Sequence, residues 1–115
     1  MTAQEVIDWT YERLHNTCSR EEKLRWLSQA EDMVRCLHAR CGKTPPAAPV
    51  TADTALLATG AFEALYPHYL EAQLHYASQE YLKFNNAMAL FSSLWQEYAN
   101  FIRRGGPGDG KRKFF

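Results

Sequence analysis

Apolar residues recur at helical spacing almost from the first residue of the chain. Val6, Ile7, Thr10, Tyr11 and Leu14 share one face of a predicted helix that runs to about His15. Thr2 followed by Glu5 fits a capping box, in which each side chain satisfies an amide at the helix start. Asn16-Thr17-Cys18 interrupts the pattern. Ser19 with Glu22 forms a second box and opens a longer helix. Its inner face is Leu27, Ala30, Val34, Leu37 and Cys41, flanked by Trp26 and Met33, and Gly42 closes it.

The densest pattern lies further on. Leu65, Tyr69, Ala72 and Tyr76 make one stripe of a third helix; Leu70, Leu74 and Ala77 make another. Pro67 fits only near a helix start, so a short turn over residues 62–66 should precede the main helix. A fourth helix carries Phe84, Met88, Phe91, Trp95, Tyr98 and Ile102, widened by Ala87, Leu90, Leu94 and Phe101. Trp95, mid-stripe between Phe91 and Tyr98, is expected in the core. Gly105-Gly106 ends the pattern. Nothing but Pro67 breaks it between residues 66 and 104, so one long bent helix is an alternative. Apolar residues on two sides of residues 65–77 need cover, which favours a hairpin with its turn at residues 77–80.

Residues 44–59 differ in kind. Pro45-Pro46-Ala47-Ala48-Pro49 is extended by proline geometry, and residues 50–57 have room for a turn and a short extended segment. The predicted fold is therefore all-α: two helical hairpins, about four helices in all, joined by a proline-rich loop at residues 43–59. Residues 1–104 form one domain, and residues 105–115 a tail whose glycines predict flexibility.

Composition narrows the function classes. A chain of 115 residues supports one modest core, and its apolar and charged fractions are those of a folded protein. No apolar run approaches the ~20 residues that span a bilayer, so no membrane partner is expected. The start of the chain lacks the basic and apolar regions of a secretion signal, which predicts synthesis in the cytosol. Cys18, Cys36 and Cys41 read as free thiols. Cys36, His38 and Cys41 suggest a metal site, but a structural zinc centre needs a fourth ligand that this stretch does not supply.

Net charge is zero but unevenly spread. From Thr44 to Asn100 only Lys83 is basic, against Asp53, Glu63, Glu71, Glu80 and Glu97. Beyond lie Arg103, Arg104, Lys111, Arg112 and Lys113 against Asp109. A basic tail behind an acidic half favours an interaction segment over a nucleic-acid-binding face; a solvated terminus is the alternative. No enzyme signature stands out. His68 and His75 are two turns apart, Glu71 and His75 form a pair that supports a helix, and Ser92 and Ser93 have no histidine at local spacing.

The block Tyr69-Leu70-Glu71-Ala72-Gln73-Leu74-His75-Tyr76-Ala77, with Glu80-Tyr81 and Asn85-Asn86-Ala87-Met88, resembles the small helical head–tail connector (adaptor) proteins of long-tailed bacteriophages. Asn16-Thr17-Cys18-Ser19-Arg20-Glu21-Glu22-Lys23 and Trp26-Leu27 resemble the first hairpin of that family. The resemblance covers roughly residues 2–34 and 62–104. It implies a structural virion protein at the head–tail interface, made in the host cytoplasm and needing no cofactor. Twelve copies would form a ring beneath the portal protein, extend the DNA channel, lie close to the DNA, and offer a surface to a stopper or tail-completion protein. The family tends to place an Asn-Gly-like turn where this chain has Ser78-Gln79.

Two sets of contact residues follow. Asn85, Ala89, Ser92, Gln96 and Ala99 line up as a narrow stripe of small and polar residues beside the aromatic one. A plain solvent face is its other reading; in the family this region helps build the ring, so Asn85, Ala89, Ser92 and Gln96 are the expected subunit interface. The second set comprises Pro45 and Pro46 in the loop and Lys111, Arg112, Lys113, Phe114 and Phe115 in the tail. Both segments are expected to lack a core of their own and to contact other proteins, with the rings as anchors and the cations steering. An alternative from another class is a small cytosolic helical regulator or adaptor that dimerises through residues 84–102.

Overall fold

The computed structural model describes residues 1–42 and 49–105. Among them are four α-helices and no strand: α1 (Ala3–Arg13), α2 (Arg20–Arg40), α3 (Leu65–Ala77) and α4 (Tyr81–Arg103). A 3-10 helix, Gly60–Ala64, leads into α3 and places Pro67 in its first turn, where no helical hydrogen bond is lost. The architecture is thus the predicted all-α one.

The α1 cap is built as its sequence implies. Thr2 Oγ1 accepts from Glu5 N–H at 3.2 Å, and Glu5 Oε1 accepts from Thr2 N–H at 2.8 Å. Two more first-turn amides have no helical acceptor and find one elsewhere. Ala3 N–H donates to the Thr54 carbonyl (3.1 Å) and Gln4 N–H to that of Ala52 (3.0 Å). At α2, Ser19 Oγ caps Glu22 N–H at 3.1 Å, the forward arm of the predicted box.

The central element is α3. It lies against α4 along its length and also meets α1 and α2, which touch each other less than they touch α3. Its apolar residues on two sides are the reason: Leu65, Tyr66, Leu70, Ala72 and Leu74 are all buried, so it needs cover from several directions. Around it the core gathers Val6 from α1, Leu27, Val34 and Leu37 from α2, and Phe91, Tyr98 and Ile102 from α4.

The turn between α3 and α4 settles the choice between hairpin and long helix. Glu80 N–H reaches back to the His75 carbonyl (2.9 Å) and Gln79 N–H to that of Tyr76 (3.0 Å), the Schellman pattern that ends a helix. Gln79 takes the left-handed position at φ 61°, a conformation that normally selects glycine. Gln79→Gly should therefore stabilise the fold by about 0.5–1 kcal/mol, a strain relief of ~1–2 kcal/mol being partly offset by a more flexible unfolded chain. Urea denaturation of the two chains measures the difference.

Two expectations about the core need correcting. Trp95 is only partly buried; Phe91 and Tyr98 occupy the core while the indole lies beside them, 6.0 Å and 6.1 Å away between ring centres. Trp95→Ala should accordingly cost less than the ~3–5 kcal/mol of an emptied aromatic core site, about 1–3 kcal/mol in thermal or urea unfolding. Tyr11, Tyr76, Ala77 and Leu90, assigned to apolar stripes, are exposed.

The larger correction concerns the loop. Its described part, residues 49–59, is not a segment without a core. Val50, Leu56 and Ala58 are buried, alternating with exposed Thr51, Asp53, Ala55 and Thr59. Leu56 N–H donates to the Met1 carbonyl (3.1 Å), and Thr2 and Ala55 form an isolated antiparallel bridge. Pro45 and Pro46, like Lys111, Arg112, Lys113, Phe114 and Phe115, lie outside the described residues.

Candidate functional site

The feature with most functional content is the outer face of α4. Its aromatic face is turned inward: Phe91 meets Tyr69 (5.3 Å between rings), Tyr98 and Phe101 meet Phe62 (5.0 and 5.1 Å), and Ile102 is buried. That fixes the helix about its axis. Asn85, Ala89, Ser92 and Gln96 consequently all point outward and are exposed, together with Asn86, Ser93 and Asn100. Ala99, placed on the same stripe by spacing, is buried instead. The stripe drifts across the helix because 3.6 residues per turn carries every successive member round the axis, and Ala99 is small enough to enter the core.

Chemically this face is unusual. Between Phe84 and Ile102 the only ionisable side chains are Glu97 and Tyr98, and Tyr98 is buried. Lys83 and Arg103 sit at the two ends. Leu82 is 75% exposed and Leu90 57%, so large apolar surface stands in the open beside the amides and hydroxyls. A helix face kept in water normally carries Lys and Glu. Depletion of charge around exposed apolar residues is the composition of an interface centre.

At the hairpin end the apolar surface widens. Tyr76 and Tyr81 are exposed and pack against each other (5.5 Å), and Tyr76 also meets Phe84 (5.2 Å). Glu80 accepts from Lys83 Nζ at 3.1 Å, and this partner holds its carboxyl below the usual range. His75 Nδ1 lies 3.5 Å from Glu80 Oε1.

Inside the domain lies a buried polar knot that periodicity does not single out. Glu31, 2% exposed on the inner face of α2, accepts from the Tyr66 hydroxyl through Oε1 (2.6 Å) and from Leu57 N–H through Oε2 (2.9 Å). The Tyr66 oxygen accepts from Ala58 N–H at 2.9 Å. Burial, and then the neighbouring Glu31 carboxylate, hold the Tyr66 phenol well above its ordinary pKa, so it remains a donor. One acid thus ties α2, α3 and the 49–59 segment together. Tyr98 lies at the edge of the same group, its pKa pushed up to about 12 by burial and by Glu31, and its oxygen is 2.7 Å from His38 Nε2.

The other candidate groups are engaged locally. His15 packs against the Tyr11 ring, and Glu71 Oε2 lies 3.3 Å from Arg13 Nε, bridging α3 to α1. His68 is partly buried, which lowers its pKa. Cys36 is exposed while Cys18 and Cys41 are partly covered, and all three are free thiols. Among the described residues no three His, Cys, Asp or Glu side chains converge as metal ligands, and no helix is long and apolar enough to cross a membrane. Ser92 and Ser93 stand on the outer face of α4.

Lys23 is a second buried polar residue that the apolar stripes leave out. It follows the spacing of the inner face of α2, and its ammonium sits 5.2 Å above the Tyr11 ring. Comparison with known proteins adds no relative: no family model matches the chain, and no curated protein or solved structure does.

Proposed function

We propose that this chain is a structural docking protein, a head–tail connector that assembles as a ring beneath the portal of a filled bacteriophage capsid. There it extends the DNA channel and presents a surface to a stopper or tail-completion protein. The observation that carries the reading is the outer face of α4. This 23-residue helix is about 34 Å long and nearly uncharged between its ends, with Leu82 and Leu90 in the open. Such a face suits close packing against another protein surface. The resemblance in residues 69–88 and 16–27 supplies the kind of assembly.

The mechanism is multivalent docking. Each copy offers a modest patch, and once neighbours are seated on one platform the remaining contacts form at high effective concentration. A ring of twelve on a portal is the state to look for. Electron microscopy and native mass spectrometry of the chain mixed with portal rings of its own phage test this. Ring-shaped additions at one end of the portal are expected.

The aromatic face of α4 is covered by α3, so a homodimeric cytosolic adaptor would have to use the same outer face. A stable dimer that ignores portal rings would favour that second reading.

A further inference from the structure

Away from the outer face of α4, α1 and the 3-10 helix enclose a groove that the ring reading does not use. One part, about 500 Å³, is lined by Met1, Glu5, Asp8, Trp9, Glu12 and Glu63. It continues into an apolar part of about 270 Å³ between Trp9, Ala61, Ala64 and Pro67. The Trp9 indole is 42% exposed at the junction. The groove therefore has an apolar floor, an aromatic wall and an acidic rim.

The rim keeps an excess of negative charge. The Met1 ammonium bonds to Glu63 Oε2 at 3.0 Å, and the Arg13 guanidinium lies 4.8 Å from the centre of the indole. Asp8 accepts from the neutral Gln4 amide, and Glu5 from the Thr2 amide. Among the described residues neither Glu5, Asp8 nor Glu12 has an ion-pair partner.

The occupant that fits is in the chain itself. We infer that the groove receives the chain's own segment Lys111-Arg112-Lys113-Phe114-Phe115, folded back in cis. Its cations match the rim, and its two rings match the indole and the apolar floor. The positions agree as well. Phe101, in the last turn of α4, packs on Phe62 of the 3-10 helix. Gly60 and Ala61 line both the hollow beside Phe101 and the groove beside Trp9. The end of α4 and the groove are thus on two sides of one short helix, one helix diameter (~10 Å) apart. Residues 106–110 can span about 17 Å, enough to bring the segment that follows across that helix to the groove. Tethering at this range gives an effective concentration on the order of millimolar, which favours the chain's own segment over a neighbour's. This inference is independent of the ring.

Nuclear magnetic resonance on the full chain tests it. Cross-relaxation is expected between the Phe114 or Phe115 rings and the Trp9 indole, unchanged on about tenfold dilution as an intramolecular contact requires. Phe114→Ala/Phe115→Ala should abolish the shift of the indole N–H signal, and added salt should reduce it. Lys111→Glu/Lys113→Glu should abolish it too, and combining that pair with Asp8→Lys/Glu12→Lys should restore it. Absence of ring–indole cross-relaxation in the full chain would overturn the inference. So would cross-relaxation that disappears on dilution, which would mean a second copy's segment, or an indole signal indifferent to the tail substitutions.

Discussion

Glu31→Ala is expected to destabilise the domain by about 2–4 kcal/mol, the cost of leaving two neutral donors without their shared acceptor. The substitution takes away the acceptor of the buried Tyr66 hydroxyl and of the part-buried Leu57 N–H. A donor left without a partner costs about 1–3 kcal/mol, the buried hydroxyl more than the part-buried amide. The damage should extend beyond α2. The segment bearing Val50, Leu56 and Ala58 loses its anchor, so the first-turn amides of α1 that bond to Thr54 and Ala52 become less protected. Glu31→Gln keeps one acceptor and should cost clearly less. Urea denaturation measures the first effect, and hydrogen exchange at Ala3 and Gln4 the second. Alanine at Glu31 with no loss of stability would show that the knot is not what holds the segment in place.

This knot also marks where sequence reading stops. The helices are legible because period and punctuation agree: the capping pair Thr2 and Glu5, the stop at Gly42, and Pro67 in a first turn all do what their chemistry dictates. The hairpin is legible only by an argument about cover, since Gln79 occupies a position where glycine would have announced the turn. Glu31 is four residues after Leu27 and three before Val34, squarely on the buried stripe. That placement is the available signal, but a polar residue there is assigned to a boundary unless its distant partners are known. Tyr66 and Leu57 are distant in sequence, so the pattern of one helix cannot reveal them.

The loop misleads for a similar reason. Proline at positions 45, 46 and 49 dominates the composition and suggests an arm held away from the domain. The alternation from Val50 to Ala58 has the period of an extended half-buried segment, yet it is too short to stand out by itself. On α4, spacing places the stripe Asn85, Ala89, Ser92 and Gln96 on one face, and the structure has that face exposed, whereas the drift of the stripe round the axis carries Ala99 into the core.

Ala89→Arg is the second large effect. Ala89 is exposed, and arginine is a good helix former, so the isolated chain should keep its helix content and melting temperature. If the outer face of α4 packs against a neighbour, the guanidinium is forced into a contact with only Glu97 nearby in sequence to offset it. Burial of an unpaired charge costs several kcal/mol, and each 1.4 kcal/mol is a factor of ten in binding. Ring assembly on the portal should therefore fall by about two orders of magnitude or more. Ala39→Arg, at an exposed position on α2, should leave assembly intact and serves as the control for added charge. Co-sedimentation with portal rings reads both variants.

Imaging the portal vertex of intact particles that carry this chain decides between ring and solvent face. A closed ring of copies directly beneath the portal is expected, with residues Asn85, Ala89, Ser92 and Gln96 of each copy covered by a neighbouring protein surface. Particles whose portal vertex lacks the chain, or a ring in which that face of α4 looks into solvent, would contradict it.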